Sequence, residues 1–439
     1  MKLNYKRTIL IGFAFMSILA FWQFYDNEIP KILTYHFGLG ETFTGTIMAF
    51  DNILALFLLP MFGTLSDKAN TRIGKRMPFI LVGTTLAVIF FNSMIYVAHI
   101  SYNLQLFIFF LLMLLVSMGI YRSPAISLMP ELTPAVHRSQ ANAIINLMGT
   151  LGAVYTLVMI KVLLKSADNE AETNYIPLMI SIAVFMVVTV LILFFTINEK
   201  KLMTEVREGV ENFDGDDARE LEGDTKEDQY QNAGKLSRDV FRSLTLLLIS
   251  VFLWFTAYNA VTTAFSRYVT EVWGLRNGAY ADCLMVALVS AVLAYIPMGF
   301  LATKIGRKKT ILIGIALMSI CYLSAALMTH YSVLLNVFFA LIGIGWAGIN
   351  VNSYPMVVGM GKSSVIGKYT GLYYTFSMAA QVFTPIFSGF LLEHVSYKTL
   401  FPYAFVFSCM SFVTMCFVKH GDVKPDPGRN IWDDLDMDN

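Results

Sequence analysis

Apolar residues in this chain come in runs of about twenty, the length an α-helix needs to cross the hydrocarbon core of a bilayer. Windows of that length place helices near 8–29, 41–62, 78–98, 104–127, 139–161 and 176–196. After a polar stretch, six more follow near 241–264, 279–302, 309–328, 333–357, 367–391 and 399–418. Twelve spans put both ends of the chain on one side. Lys and Arg choose the side: with the N-terminus inside, 17 of them fall in short inside segments and 6 in outside ones. An excess of that size over short loops marks the cytoplasmic face. The expectation is an all-α, polytopic membrane protein with twelve transmembrane helices in two six-helix pseudo-repeats. Its halves are 1–198 and 241–420, joined by a cytoplasmic linker at 199–240 and followed by a cytoplasmic acidic tail at 421–439.

Composition sharpens this picture. Only 14% of residues are charged and 56% are hydrophobic, where soluble domains carry about 25% charged residues. Residues 199–239 alone hold 13 acids and 7 bases, which leaves the spans almost free of charge. The balance of 32 Lys and Arg against 31 Asp and Glu offers nothing to a nucleic acid. Cys283, Cys321, Cys409 and Cys416 lie in apolar runs without ligand spacing and are expected to be core residues. Lys2, Lys6 and Arg7 precede an apolar stretch that is longer than a signal-peptide core and lacks a cleavage site, so it reads as a retained first span. The linker is predicted to be a solvated tether without helical periodicity. Its Asp214, Asp216 and Asp217 lack the ligand spacing of a calcium loop.

The two halves align on each other. At an offset of 236, Gly38-Leu39 falls on Gly274-Leu275, Gly63 on Gly299, Leu65 on Leu301 and Lys68 on Lys304. Beyond a four-residue insertion the offset becomes 232, and Gly74-Lys75-Arg76 falls on Gly306-Arg307-Lys308. Duplicated six-helix units are an architecture of secondary transporters. The loop Gly63-Thr64-Leu65-Ser66-Asp67-Lys68 with Gly74-Lys75-Arg76 resembles the signature between the second and third helices of the major facilitator superfamily. The second copy has Thr303 where the acid belongs. The insertion followed by Arg76-Met77-Pro78-Phe79, together with Arg122-Ser123-Pro124-Ala125, resembles the sucrose-transporter-like branch and the glycoside–pentoside–hexuronide:cation symporters. The loop physics stands beside the resemblance. Its glycines allow a tight turn, and Asp67 can bond to basic neighbours in one helix arrangement and release them in another. Gly63, Asp67, Lys68, Gly74, Arg76, Arg122 and Glu131 are accordingly the expected gate.

Ionisable groups at membrane depth are costly and point to function. Asp51 lies about ten residues into the second span, roughly 15 Å deep, with no base one turn away. It is the first candidate for carrying a coupling proton. Asp26 is the second, and Tyr25-Asp26 in the first helix resembles the proton-coupled sugar porters of the superfamily. Glu28 and Asp282 are expected at the surface. Arg122 is read as a cation that snorkels towards the cytoplasm or joins Asp67 and Glu131, with a substrate contact as the lesser reading.

A sugar site wants aromatic faces for C–H surface and amides for hydroxyls. The repeat sets Trp22-Gln23 against Tyr258-Asn259, and Asn52, Asn142, Asn146, Trp346, Asn350, Tyr374 and Gln381 add to the candidate lining. Lipid cannot satisfy the amides, so they carry the inference. The resemblance implies proton-coupled symport of a sugar or glycoside by alternating access. Sodium coupling and export of another small organic solute stay open. No catalytic motif is present (HExxH, GxSxG and the P-loop are all missing), so no enzyme activity is expected. No metal and no cofactor beyond the coupling ion are expected. The partners are a small-molecule substrate and the lipid bilayer, with the chain a monomer in the cell membrane.

Overall fold

The computed structural model describes residues 4–133, 138–164, 170–211, 237–275, 278–360 and 366–422. The first six spans are α1 (Tyr5–Lys31), α2 (Glu41–Lys68), α3 (Met77–Tyr96), α4 (Leu104–Glu131), α5 (Arg138–Leu163) and α6 (Ile176–Thr196). A short helix follows, α7 (Glu199–Glu211). The later spans are α8 (Arg238–Trp273), α9 (Tyr280–Ile305), α10 (Arg307–Ala326), α11 (Leu334–Val358), α12 (Ile366–His394) and α13 (Leu400–Cys416). All twelve predicted spans are present and long and apolar enough to cross a membrane, and this is a multi-pass membrane protein.

Two elements differ from expectation. Helix α8 runs well past residue 264, because Arg267 and its polar neighbours are buried with partners rather than solvated. The start of the linker is helical, where Asn198 caps α7 by accepting the Lys201 N–H at 3.1 Å. The linker's residues 212–236 and the tail's residues 423–439 lie outside the described residues. Of the cysteines, Cys283 and Cys321 are buried as expected, whereas Cys409 is half-buried and Cys416 is exposed at the end of α13.

The chain divides into two compact units: Met1–Gly40, Thr46–Gly223 and Arg276–Ala281 in the first, Glu41–Gly45, Asp224–Leu275 and Asp282–Asn439 in the second. Within the first, α1 packs on α5 and α6, and α3 packs on α4 and α6. Within the second, α8 packs on α12 and α13, and α10 packs on α11 and α13. With α8 equivalent to α1, these are the same pairings. The sequence repeat is therefore a repeat of packing. Small residues let the backbones meet: a Cβ on Gly152 would lie 1.9 Å from the Met16 carbonyl oxygen, and one on Gly345 would lie 2.7 Å from that of Gly314. The second helix of each half is the least enclosed, with 22% of the apolar window buried in α2 and 17% in α9.

Candidate functional site

In the first unit, three helices bring Trp22, Asp51 and Arg122 to one cleft, with Tyr25 and Asp26 one turn along from Trp22. Helix α1 presents Trp22 and, one turn on, Tyr25 and Asp26; α2 presents Asp51, its eleventh residue; α4 presents Arg122. Trp22, Asp51, Leu58, Met118, Gly119 and Arg122 line the cleft. The Arg122 guanidinium lies over the Trp22 ring, 5.5 Å from its centroid, a cation–π arrangement. Arg122 acts electrostatically on both Asp26 and Asp51, and the two acids act on each other and on Tyr25. Asn52 donates its backbone N–H at 2.5 Å and its Nδ2 at 2.6 Å to Asp51 Oδ1. The Trp22 indole N–H and the Tyr25 hydroxyl are buried without a hydrogen-bond partner. Gln23 is half-buried beside Trp22, while Asn142 and Asn146 are exposed on α5.

Arg122 is therefore not a member of the loop cluster. It keeps company with the two acids at membrane depth. Glu28 also departs from expectation: it is fully buried, accepts a bond from the Tyr280 hydroxyl and pairs with Lys31. Asp282 is half-buried near the start of α9.

In the second unit, Tyr258 of α8 and Trp346 of α11 stack face to face, with centroids 3.8 Å apart and planes 4° from parallel. Phe255 meets Trp346 edge-on at 5.2 Å. The Asn259 amide nitrogen is buried without an acceptor, and Asn350 is half-buried on α11. Gln381 Nε2 reaches the Ser377 carbonyl at 3.4 Å, and Tyr374 is exposed among Tyr354 and Tyr373. The result is an aromatic platform with amides beside it. Among the described residues, it carries no charge.

The loop after α2 is held by Arg76, the residue before α3. Its buried guanidinium bonds to Asp67, Glu131 and Ser66, and reaches the Gly63 carbonyl at 3.2 Å. Asp67 itself is largely exposed, as is Lys68. A residue outside the predicted set completes the cluster. Glu199, fully buried, accepts backbone N–H bonds from Lys75 at 2.7 Å, Arg76 at 3.0 Å and Met77 at 3.0 Å. A carboxylate seated on the first amides of a helix is favoured by both bonding and dipole. Gly74 makes room for it: φ is +123°, and a Cβ there would sit 2.1 Å from Glu199 Oε2.

The second half repeats the seat with other residues. Asp422 accepts from the Lys308 N–H at 3.2 Å, and a Cβ on Gly306 would meet its Oδ2 at 2.9 Å. Thr303, in place of the acid, bonds back to the Phe300 carbonyl of its own helix at 2.8 Å. One sequence signal could have found both seats: Glu199 and Asp422 are each the first acid after the last span of a half.

The sequence profile described as MFS/sugar transport protein matches residues 9–399. No curated protein matches the chain by sequence. Solved structures match its fold. The xylose transporter XylE from E. coli, in an inward open conformation, has a TM-score of 0.65 at 15% identity, covering 99% of this chain and 98% of that one. The nucleoside transporter NupG has a TM-score of 0.70 at 13% identity, covering 94% of this chain and 100% of that one. A POT family transporter in complex with a thioalcohol-conjugated peptide gives 0.69 at 11% identity, over 94% and 95% of the two chains.

Proposed function

This chain belongs to the MFS/sugar transport protein family, and we propose from that premise that it is a proton-coupled symporter of a sugar or glycoside. Family and fold are those of transporters, not enzymes. The reading adds that both termini are cytoplasmic and that the protein works as a monomer in the cell membrane by alternating access.

One observation carries it: Asp51 and Arg122 line one cleft with Trp22, the Arg122 guanidinium lies over the Trp22 ring, and Asp26 follows one turn along α1. A proton carrier must meet a dry setting and a wet one in turn, and an acid at the depth of Asp51 does so if a cavity opens to each side alternately. Arg122 supplies the positive charge that a bound sodium ion would otherwise bring to the two carboxylates. That favours a proton as the coupling ion, although the oxygens of Asp26, Asp51 and Asn52 are a ligand set sodium could use. The Tyr258–Trp346 platform, Asn259, Asn350 and Gln381 fit the C–H faces and hydroxyls of a sugar. Trp22, Gln23, Asn142, Asn146 and Tyr374 are the further candidates for the lining. Arg76, with Asp67, Glu131 and Gly63, is the cytoplasmic gate, alongside Lys68 and Gly74.

The test is uptake of labelled sugar into proteoliposomes, with and without an imposed pH gradient. Candidate sugars come first from a thermal-shift screen of mono- and disaccharides. Asp51→Asn keeps the side chain's shape and removes its proton chemistry. It should abolish uphill accumulation while exchange down an equal gradient survives. If Asp26→Asn alone abolishes accumulation, the roles of the two acids are exchanged. If both variants still concentrate sugar, neither acid carries the proton and the mechanism is wrong.

A further inference from the structure

Helices α12 and α13 both lean on α8, and a groove of about 260 Å³ is left between them on the second unit. Helix α12 lines it with Phe387 and Leu391, one turn apart. Thr399 stands just before α13, which adds Pro402, Tyr403, Val406 and Phe407. Residues 399, 402, 403, 406 and 407 share one helix face, so the groove follows the axis for roughly 12 Å from Thr399. Its walls are apolar apart from the Tyr403 phenol and the Thr399 hydroxyl, which donates to the Ser396 carbonyl at 2.7 Å. Tyr403 is buried, and its ring centroid lies 5.9 Å from that of Phe387 and 4.5 Å from that of Phe407. Pro402 and Val406 are exposed.

The fold does not require this groove. At the offset of 232, Phe387 falls on Tyr155. In the first unit Tyr155 bridges to α6: its ring stacks on Phe185 with centroids 3.9 Å apart, and its hydroxyl lies 2.7 Å from Ser181 Oγ. Phe387 has no hydroxyl and meets Tyr403 at a tilt of 47°. Charge marks the mouth. Lys398, the residue before Thr399, is exposed and has no ion-pair partner among the described residues. The acids nearest to it in the chain and through Tyr397 are engaged elsewhere: Glu393 accepts the Thr42 N–H at 2.7 Å, and Glu41 is paired with Arg267 at 2.9 Å.

In a membrane protein an apolar groove on a spanning helix pair meets lipid. A chain gains little from exchanging other lipid tails for apolar walls, since both are equally oily. Preference for one lipid over another must therefore come from its headgroup, and the charge at this mouth is positive. We propose that the α12–α13 groove binds one anionic glycerophospholipid, with an acyl chain along the Thr399–Phe407 stripe and the headgroup at Lys398. The site is separate from the transporter reading and depends on neither the substrate nor the coupling ion.

The test is native mass spectrometry of the purified full-length protein in detergent, titrated with phosphatidylglycerol or with phosphatidylcholine of the same acyl chains. The first phosphatidylglycerol should bind about fivefold more tightly than the first phosphatidylcholine, the contribution of one basic residue near an anionic lipid. Lys398→Ala should remove that preference and leave phosphatidylcholine binding unchanged. Val406→Trp, which fills the groove, should weaken the first binding event of both lipids. Lys304→Ala changes an equally exposed lysine at the far end of α9 and should keep the wild-type preference. Equal affinity for the two lipids in wild type overturns the proposal, as does a preference that survives Lys398→Ala or is lost equally in Lys304→Ala. Displacement of the lipid by an equal concentration of cholesterol would assign the groove to a sterol. A dimer in place of the lipid-bound monomer would assign it to a second copy of the chain, and either result also overturns the proposal.

Discussion

Glu199 offers a sharp measurement, because one buried carboxylate serves three backbone amides at the start of α3. Glu199→Ala leaves the N–H groups of Arg76 and Met77 buried without an acceptor. It also removes a negative charge from a helix N-terminus and opens a void. A charge-assisted hydrogen bond contributes about 1.5–3 kcal/mol, and a lost N-cap costs about 1 kcal/mol. The three bonds share one carboxylate, so they do not simply add, and the expected loss is about 3 kcal/mol. At about 2–4 °C per kcal/mol for a unit of this size, the melting temperature should fall by about 6–12 °C. Gly74 supplies the control. Gly74→Ala alone drives a methyl group into Glu199 Oε2, at 2.1 Å, and strains a backbone at φ +123°. In the double variant the clash is gone and only the strain remains, so the two losses should fall short of additive by about 1 kcal/mol or more. Thermal unfolding of the purified single and double variants reads both numbers. A fall below about 2 °C for Glu199→Ala, or strict additivity with Gly74→Ala, would show that Glu199 is not the seat the geometry makes it.

Three further outcomes follow from the same structure. Asp67→Asn removes one carboxylate from a largely exposed face of the Arg76 cluster, so it should slow transport while equilibrium sugar binding stays within a few-fold of wild type. Loss of binding in folded protein would move Asp67 into the substrate site. Trp346→Ala dissolves the stack on Tyr258 and should weaken sugar binding about tenfold by isothermal titration, an aromatic contact's typical contribution, while Trp346→Phe largely retains it; equal losses for both would refute the platform. A single cysteine at Gly223, with the native cysteines replaced, should react with an impermeant reagent only after the cytoplasmic side is opened, and labelling of intact cells would reverse the orientation.

The helices were legible because the bilayer sets a minimum apolar length for every span, and a run of twenty apolar residues announces itself without tertiary information. What lay beyond the sequence was partnership. Glu199 meets Lys75 across 124 residues and Arg267 meets Glu41 across 226, and nothing in local spacing joins such pairs. For that reason Glu28 looked solvated and the end of α8 looked like a loop. Arg122 is different, since the sequence alone places it. It precedes Glu131 by nine residues on one helix, roughly 13 Å along the axis, too far to share the guanidinium cluster at Arg76. The aromatic and amide residues of the candidate site were legible as types, but the face-to-face pairing of Tyr258 with Trp346 needed the packing of α8 on its neighbours.

The repeat supplies the strongest argument about what the buried charges are for. The two halves use the same helix pairings, yet only the first carries the charged set. At the offset of 236, Asp26 falls on Thr262 and Asp51 on Ala287; at 232, beyond the insertion, Arg122 falls on Tyr354. The second half therefore builds the same architecture with a hydroxyl, a methyl group and a phenol at these positions. The fold does not need an acid or a base there. Buried charges at membrane depth cost several kcal/mol each unless paired, and selection for stability alone would replace them with residues like those of the second half. In the platform the asymmetry runs the other way: Trp346 falls on Leu114 at the offset of 232, so the stacked pair exists only in the second unit. One duplicated scaffold thus carries the Asp26, Asp51 and Arg122 charges in one half and an uncharged aromatic platform at the Tyr258–Trp346 pair in the other, a division that holding twelve helices together does not require.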